Sequence, residues 1–402
     1  MNKTGILFIG SSGYISAAAM AGAFALRKGL TARTGMVTDL PQFSGLGLIE
    51  PEDFVFGGWD IRSATPLESA EKFFRNGHLP GYEILPNIAE ELRGVTPNLY
   101  EGVSTNCGAA IEGLSGNRPE TSTLREQVER LRSNIRDFKE RSALDEAVVF
   151  NLASTEPQIA DSEWLSTPHK LEECVNENRV TAVRASTLYA YAAVLEGCPY
   201  INFTPSNGAL VPAIIKLAEE TGVPVMGNDG KTGETLVKSA LIPMFLLRNL
   251  EVLSWEGFNI LGNMDGQVLD SPENKESKII TKDRILGKVL GYSPHSRVHI
   301  HYVPSLDDQK TAWNFIHFKG FFGAKMSMQF VWQGYDSILA APLVLDLARL
   351  AEFSKRRREA GVMTHLASFF KAPAGVNEHR LYEQYQMLLD YLNNARSGMV
   401  EG

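Results

Sequence analysis

The sequence predicts an α/β fold, a doubly wound parallel sheet interrupted by an inserted α+β mixed-sheet segment. Three observations predict it. Short apolar β-branched runs alternate with helical patterns over residues 1–240, the rhythm of βαβ units. A glycine turn joins the first such run to a helix of small residues. Beyond residue 240 the pattern changes to strands of alternating polarity, and from Asp336 it becomes helical again.

Residues 5–9 read as a buried strand, Gly10-Ser11-Ser12-Gly13 as the turn, and 16–28 as the helix. The N-terminus resembles a secretory signal, but the glycines and serines interrupt the apolar stretch that a signal keeps continuous. Residues 30–118, with many Gly and Pro, read as loop-rich. A charged amphipathic helix over 121–141 leads into a strand at 147–152. Helix 186–195, strand 200–204, helix 209–221, strand 223–226 and helix 233–248 follow. Alternation then marks strands at 254–261, 297–303 and 324–332. The last two, VHIHYV and KMSMQFVW, alternate as antiparallel edge strands do. THLASFFKA and the charged C-terminus read as helical. The expected organisation is 1–240 as a nucleotide-binding domain, 241–335 as an inserted sheet domain, and 336–402 as helices returning to the first domain.

With 402 residues, 44% hydrophobic and 21% charged, the chain has the composition of ordinary globular proteins. A net charge of −8 argues against non-specific binding of nucleic acid or membrane surfaces. No apolar run approaches the length of a membrane span. Cys107, Cys174 and Cys198 form no CxxC and suit a reducing compartment as small buried groups. The cytoplasm is the expected location.

The turn gives G-x-x-G at Gly10 and Gly13 between strand and helix. Glycine lets the backbone approach a pyrophosphate, and the helix terminus favours the anion. A structural tight turn fits the same residues. An acidic partner for ribose hydroxyls is also needed, and Asp39 or Asp60 meets that need. Four lysines stand out in an acidic chain. Lys278 and Lys282 share a helix face at i, i+4, Lys310 lies in LDDQK, and Lys371 lies in the apolar SFFKAPAG. Converging ammonium groups stabilise a developing enolate or alkoxide; their bland alternatives are a solvated face and surface turns. TGET (232–235) opens a helix and reads as a phosphate site or an ordinary N-cap. His299 and His301 share a strand face, but no neighbouring carboxylate or cysteine completes a metal site. No metal is expected. KRRR (355–358) ends a helix, where cations suit the dipole.

From FVFGGWDI (54–61) onward the sequence resembles the inositol-3-phosphate synthase (myo-inositol-1-phosphate synthase) family. The resemblance continues, in the family's order, through NLASTEP (151–157), YINFTPSN (200–207), GVPVMGNDGKTGETLVKSAL (222–241) and FNILGNMDGQVLD (258–270). It runs on through the Lys278/Lys282 segment, LDDQK (306–310), DSILAAPLVLDL (336–347) and FFKAP (369–373). It implies a Rossmann-like NAD-binding domain, a hexose phosphate substrate and a homotetramer assembled through the inserted sheet. It implies a cycle in which glucose 6-phosphate is oxidised at C5, loses a C6 proton, closes by aldol attack of C6 on C1, and is reduced again. By the same resemblance Gly10, Ser11, Ser12, Gly13, Asp60, Ser154, Thr155, Asp229, Asp265 and Asp336 line the NAD site. Thr232, Gly233, Glu234, Thr235 and Asn263 surround the substrate phosphate, and Lys278, Lys282, Lys310 and Lys371 are the catalytic lysines.

Some positions depart from the family pattern. The glycine turn is Ser-Ser, Met264 stands where asparagine is common, Gly230 replaces a bulkier residue, and Glu234 replaces glutamine. An ionised Glu234 repels a phosphate unless its side chain turns away. Fructose 6-phosphate, closing to a five-membered ring, is an alternative substrate for the same cycle. A simple dehydrogenase and a non-catalytic NAD sensor are further alternatives.

Overall fold

The computed structural model describes residues 3–77, 79–115, 120–262 and 286–400. Among them, eleven strands run in chain order as β1 (Thr4–Ile9), β2 (Val55–Asp60), β3 (Leu99–Glu101), β4 (Glu146–Asn151), β5 (Tyr200–Asn202), β6 (Pro224–Gly227), β7 (Glu251–Leu261), β8 (His295–Tyr302), β9 (Gln309–Lys319), β10 (Lys325–Tyr335) and β11 (Gly361–Val362). They form a seven-stranded sheet, β11-β6-β5-β4-β1-β2-β3, and a four-stranded sheet, β10-β9-β7-β8. Every pairing in the larger sheet is parallel. Its order reverses at β1, which is flanked by β2 and β4, so a crevice opens there at the strands' carboxyl ends.

β1 is buried along its whole length, as a central parallel strand must be. Ile6 and Phe8 point into one core, Leu7 and Ile9 into the other. The first core is roofed by helix Tyr14–Arg27, whose alanines allow close approach to the sheet, and by helix Asp336–Arg356. Helices Leu124–Arg141, Ala185–Leu195 and Pro212–Thr221 cover the other face. Thr123 and Glu126 close a capping box that starts the first of these. A third core joins Ile242 and Phe245 of helix Gly233–Leu247 to Val252, Trp255, Ile316 and Phe318 of the smaller sheet. Cys107, Cys174 and Cys198 are free and buried. Among the described residues, no helix is long and apolar enough to cross a membrane.

Four expectations are corrected. The stretch 30–118 is loops and 3-10 turns up to Phe54, but beyond it holds more regular structure than expected: β2, β3 and helices Pro66–Asn76 and Leu85–Val95. Its prolines sit in first helical turns, where the missing N–H costs nothing. Its Gly57-Gly58 pair lies inside β2 because a Cβ on Gly58 would stand 2.1 Å from the Phe8 carbonyl oxygen. VHIHYV, in β8, pairs parallel to β7, since residues 262–294 are long enough to return the chain in the same direction. Alternation reports a half-wet face and says nothing of direction. An entire strand, β9, went unpredicted because buried Lys310 and Asn314 sit among its apolar positions. THLASFFKA is a 3-10 turn, Thr364–Phe369, rather than a helix. Among the described residues, β8 and β10 are edge strands.

Candidate active site

A cleft lies over the carboxyl ends of β1, β2, β4, β5 and β6. Gly10, Ser12, Gly13, Asp60, Ser154, Thr155, Asp229, Thr232, Asp336 and Lys371 line it, so many of the predicted site residues meet in one place. Asn263, Asp265, Lys278 and Lys282 lie outside the described residues.

The glycine turn is held from below. Gly10 N and Ser11 N both donate to the Trp59 carbonyl, at 2.8 and 3.0 Å, and Ser12 N donates to Asp60 Oδ2 at 2.9 Å. Gly10 has φ +83°, a conformation glycine adopts freely, and a Cβ there would lie 3.1 Å from Ala153 Cα. Helix Tyr14–Arg27 starts at Gly13 without a side-chain cap, and Tyr14 and Ile15 face the cleft. The Ser11 hydroxyl is buried with no hydrogen-bond partner among the described residues. A close-approach glycine, an uncapped helix terminus and an orphaned hydroxyl fit a dinucleotide pyrophosphate. Of the two candidate acids, Asp60 lines the cleft, gripped by the Arg62 guanidinium at 3.1 and 3.2 Å. Asp39 lies apart, 3.7 Å from Arg33.

Lys371 is positioned by backbone pairing. The segment after β6 zips to the segment after the 3-10 turn: Lys371 N donates to the Asp229 carbonyl at 2.7 Å and Lys231 N to the Phe369 carbonyl at 2.8 Å. Lys371 Nζ then donates to Asp229 Oδ1 at 2.8 Å, with side chains only 10% and 5% exposed. Lys310, near the start of β9, reaches Asp336 Oδ2 at 3.1 Å. Asp336 opens helix Asp336–Arg356, and the next residue, Ser337, donates through N and Oγ to buried Asp308 at 3.2 and 2.9 Å. Two lysines remote in sequence are thus each bound to a carboxylate on the same cleft.

Thr232 is the N-cap of helix Gly233–Leu247 and makes no side-chain cap bond, which leaves the first-turn N–H groups for another acceptor. Gly233 has φ +50°, and Thr235 is buried. Glu234 pairs within its own helix. Its carboxylate lies 3.0 Å from Lys238 Nζ, both side chains 1% exposed, against Gly257 of the smaller sheet. Gly230 leaves its space to the Phe203 ring, which would stand 2.0 Å from a Cβ there.

Several cleft residues were not singled out from sequence. Asn202 ties Asn151 (3.0 Å), the Ser206 carbonyl (2.9 Å) and Asn228 (2.6 Å) together under the cleft. Glu156 N donates to Ser206 Oγ at 3.0 Å, Ser186 N donates to Glu156 Oε1 at 2.9 Å, and burial raises the carboxyl's pKa. Their motifs, NLASTEP and YINFTPSN, were visible, but not which members face inward. Lys231 is buried against Gln384, and desolvation lowers its pKa to about 7. His299 stacks on Phe258 and faces Glu256 at 3.4 Å; among the described residues no cluster of three or more His, Cys, Asp or Glu could hold a metal.

A family model described as myo-inositol-1-phosphate synthase, of an NAD-binding class, matches residues 4–393. The chain is 32% identical over 417 residues to inositol-3-phosphate synthase 1 of Bacteroides thetaiotaomicron, covering 98% of this chain and 95% of that one. It is 29% identical over 395 residues to inositol-3-phosphate synthase of Dictyostelium discoideum, covering 88% and 75%. The crystal structure of inositol-3-phosphate synthase from Caenorhabditis elegans superposes with a TM-score of 0.87 at 26% identity, covering 98% of this chain and 86% of that one. A myo-inositol-1-phosphate synthase-related protein from Thermotoga maritima gives 0.77 at 26% identity, covering 97% and 98%. The chain therefore belongs to the myo-inositol-1-phosphate synthase family, with NAD as its cofactor.

Proposed function

We propose that this protein is an isomerase that cyclises a hexose phosphate, glucose 6-phosphate to 1D-myo-inositol 3-phosphate, by oxidation at C5, enolisation, aldol closure and re-reduction. The observation that carries the reading is that Lys371, Asp229 and Asp336 line one cleft, with Lys371 paired to Asp229 and Lys310 reaching Asp336. NAD, when bound, supplies the hydride acceptor and donor for the two redox ends of the cycle. Gly10, Gly13 and the first turn of helix Tyr14–Arg27 hold its pyrophosphate, and Asp60 its ribose.

The first turn of helix Gly233–Leu247, from Thr232 to Thr235, holds the substrate phosphate through N–H groups and hydroxyls. Lys371 and Lys310 stabilise negative oxygen as the C6 proton leaves and as C6 attacks C1. Their carboxylate partners aim each ammonium. Lys278 and Lys282 enter the proposal through their match to the family's lysines, as do Asn263 and Asp265. Residues 241–335 form the inserted unit, and the open edges of β8 and β10 are the surfaces through which a homotetramer assembles.

The departures from the family pattern at Gly230, Glu234 and Met264 motivate a second reading: the same cycle on fructose 6-phosphate, closing five atoms. Incubating the purified protein with NAD and each hexose phosphate, then identifying the ring by NMR, decides. A six-membered cyclitol phosphate from glucose 6-phosphate without net reduction of NAD supports the first reading. A cyclopentane product from fructose 6-phosphate alone overturns it.

A further inference from the structure

We propose that Lys238 is a positioning residue whose ammonium cancels the charge of Glu234 and so sets the affinity of the Thr232–Thr235 turn for a phosphate monoester. The inference rests on the phosphate-binding reading of that turn. Glu234 is the second residue of helix Gly233–Leu247, so a formal negative charge sits within the same first turn whose N–H groups attract an anion. A carboxylate there opposes a phosphate dianion unless something neutralises it.

Lys238, one turn along, lies 3.0 Å from Glu234 Oε1. Both side chains are sealed between the helix and the smaller sheet, each 1% exposed. Lys238 Nζ stands 5.6 Å from the centre of the Trp255 ring, whose Nε1 donates to Asn314 Oδ1 at 2.8 Å. The carboxylate occupies room that only a glycine leaves, since a Cβ on Gly257 would lie 2.6 Å from Glu234 Oε1. Away from solvent, the field of either charge is weakly screened and reaches a neighbouring anion. The two charges therefore act on the phosphate with opposite signs.

The test is calorimetric titration of the NAD-loaded protein with glucitol 6-phosphate, an open-chain hexitol phosphate that cannot cyclise. Lys238→Met should weaken binding about tenfold, and Glu234→Gln should tighten it several-fold. The double variant should return to within about threefold of the parent. The Lys238→Met loss should shrink when the pH is lowered through about 6, where a phosphate monoester gives up its second charge. A purely structural pair predicts that both single variants weaken binding, and that result overturns the proposal. Unchanged affinity in both overturns it too. If Lys238→Met does not fold, Glu234→Gln alone decides by the sign of its effect. A parent protein that binds no hexitol phosphate sinks the underlying reading and this proposal with it, whereas a parent that binds and variants that do not differ sink only this one.

Discussion

Replacing Lys371 by methionine separates what this lysine does for the fold from what it does for the reaction. Its ammonium lies 2.8 Å from Asp229 Oδ1, with the two side chains 10% and 5% exposed. At an effective dielectric constant of about 20, the gross attraction at that distance is about 6 kcal/mol. Desolvation of both groups offsets part of it. Removing one partner strands the Asp229 carboxylate and should destabilise the protein by about 3 kcal/mol. Turnover of glucose 6-phosphate should fall about 10²- to 10³-fold, the loss typical of one donor to a developing oxyanion. The Asp229→Asn, Lys371→Met double variant then discriminates. Asparagine tolerates the left-handed backbone at this position, φ +62°, so the double variant should recover most of the stability and none of the turnover. Thermal melts and a product assay on the same preparations provide both readings. Turnover within about threefold of the parent in either variant would refute a catalytic Lys371.

Gly10→Ala forces a side chain into φ +83° and places its Cβ 3.1 Å from Ala153 Cα, so NAD affinity should drop at least about tenfold by calorimetric titration; an unchanged Kd would remove the glycine turn from the cofactor site. His365 is half-buried, stacked on the Tyr391 ring, and desolvation lowers its pKa from 6.5 to about 4. Between those values the unfolded chain takes up a proton that the folded chain refuses. Stability is therefore full above about pH 6.5 and falls by about 3 kcal/mol as the pH drops to about 4. His365→Gln should flatten that window in urea titrations, and an unaltered pH dependence would count against it.

The doubly wound half of the fold was legible because its signals are local. GILFI and AVVF are apolar enough to be central strands, and GSSG can only be a turn between such a strand and a helix. Where glycine answers to another chain segment, the signal reverses. Gly57-Gly58 looks like a loop in sequence and is a strand because Phe8 passes too close for any side chain. β9 was hidden for a related reason, since its buried face carries Lys310 and Asn314, which serve the site and the Trp255 indole instead of the apolar pattern. The site residues were legible as motifs, not as contacts. That Lys371 meets Asp229 depends on backbone pairing between segments 142 residues apart. The i, i+4 spacing of Glu234 and Lys238 was visible in sequence, but an exposed helix pair has the same spacing, and only the smaller sheet packed above it makes the pair buried.

The most direct test of the cyclisation account follows a deuterium label at C5 of glucose 6-phosphate through turnover with the NAD-loaded protein. If the C5 hydrogen leaves and returns within one cycle, turnover slows with the label and the inositol phosphate formed retains deuterium at the corresponding carbon. A product formed at the unlabelled rate, or a labelled substrate whose deuterium is lost from the product, would contradict it.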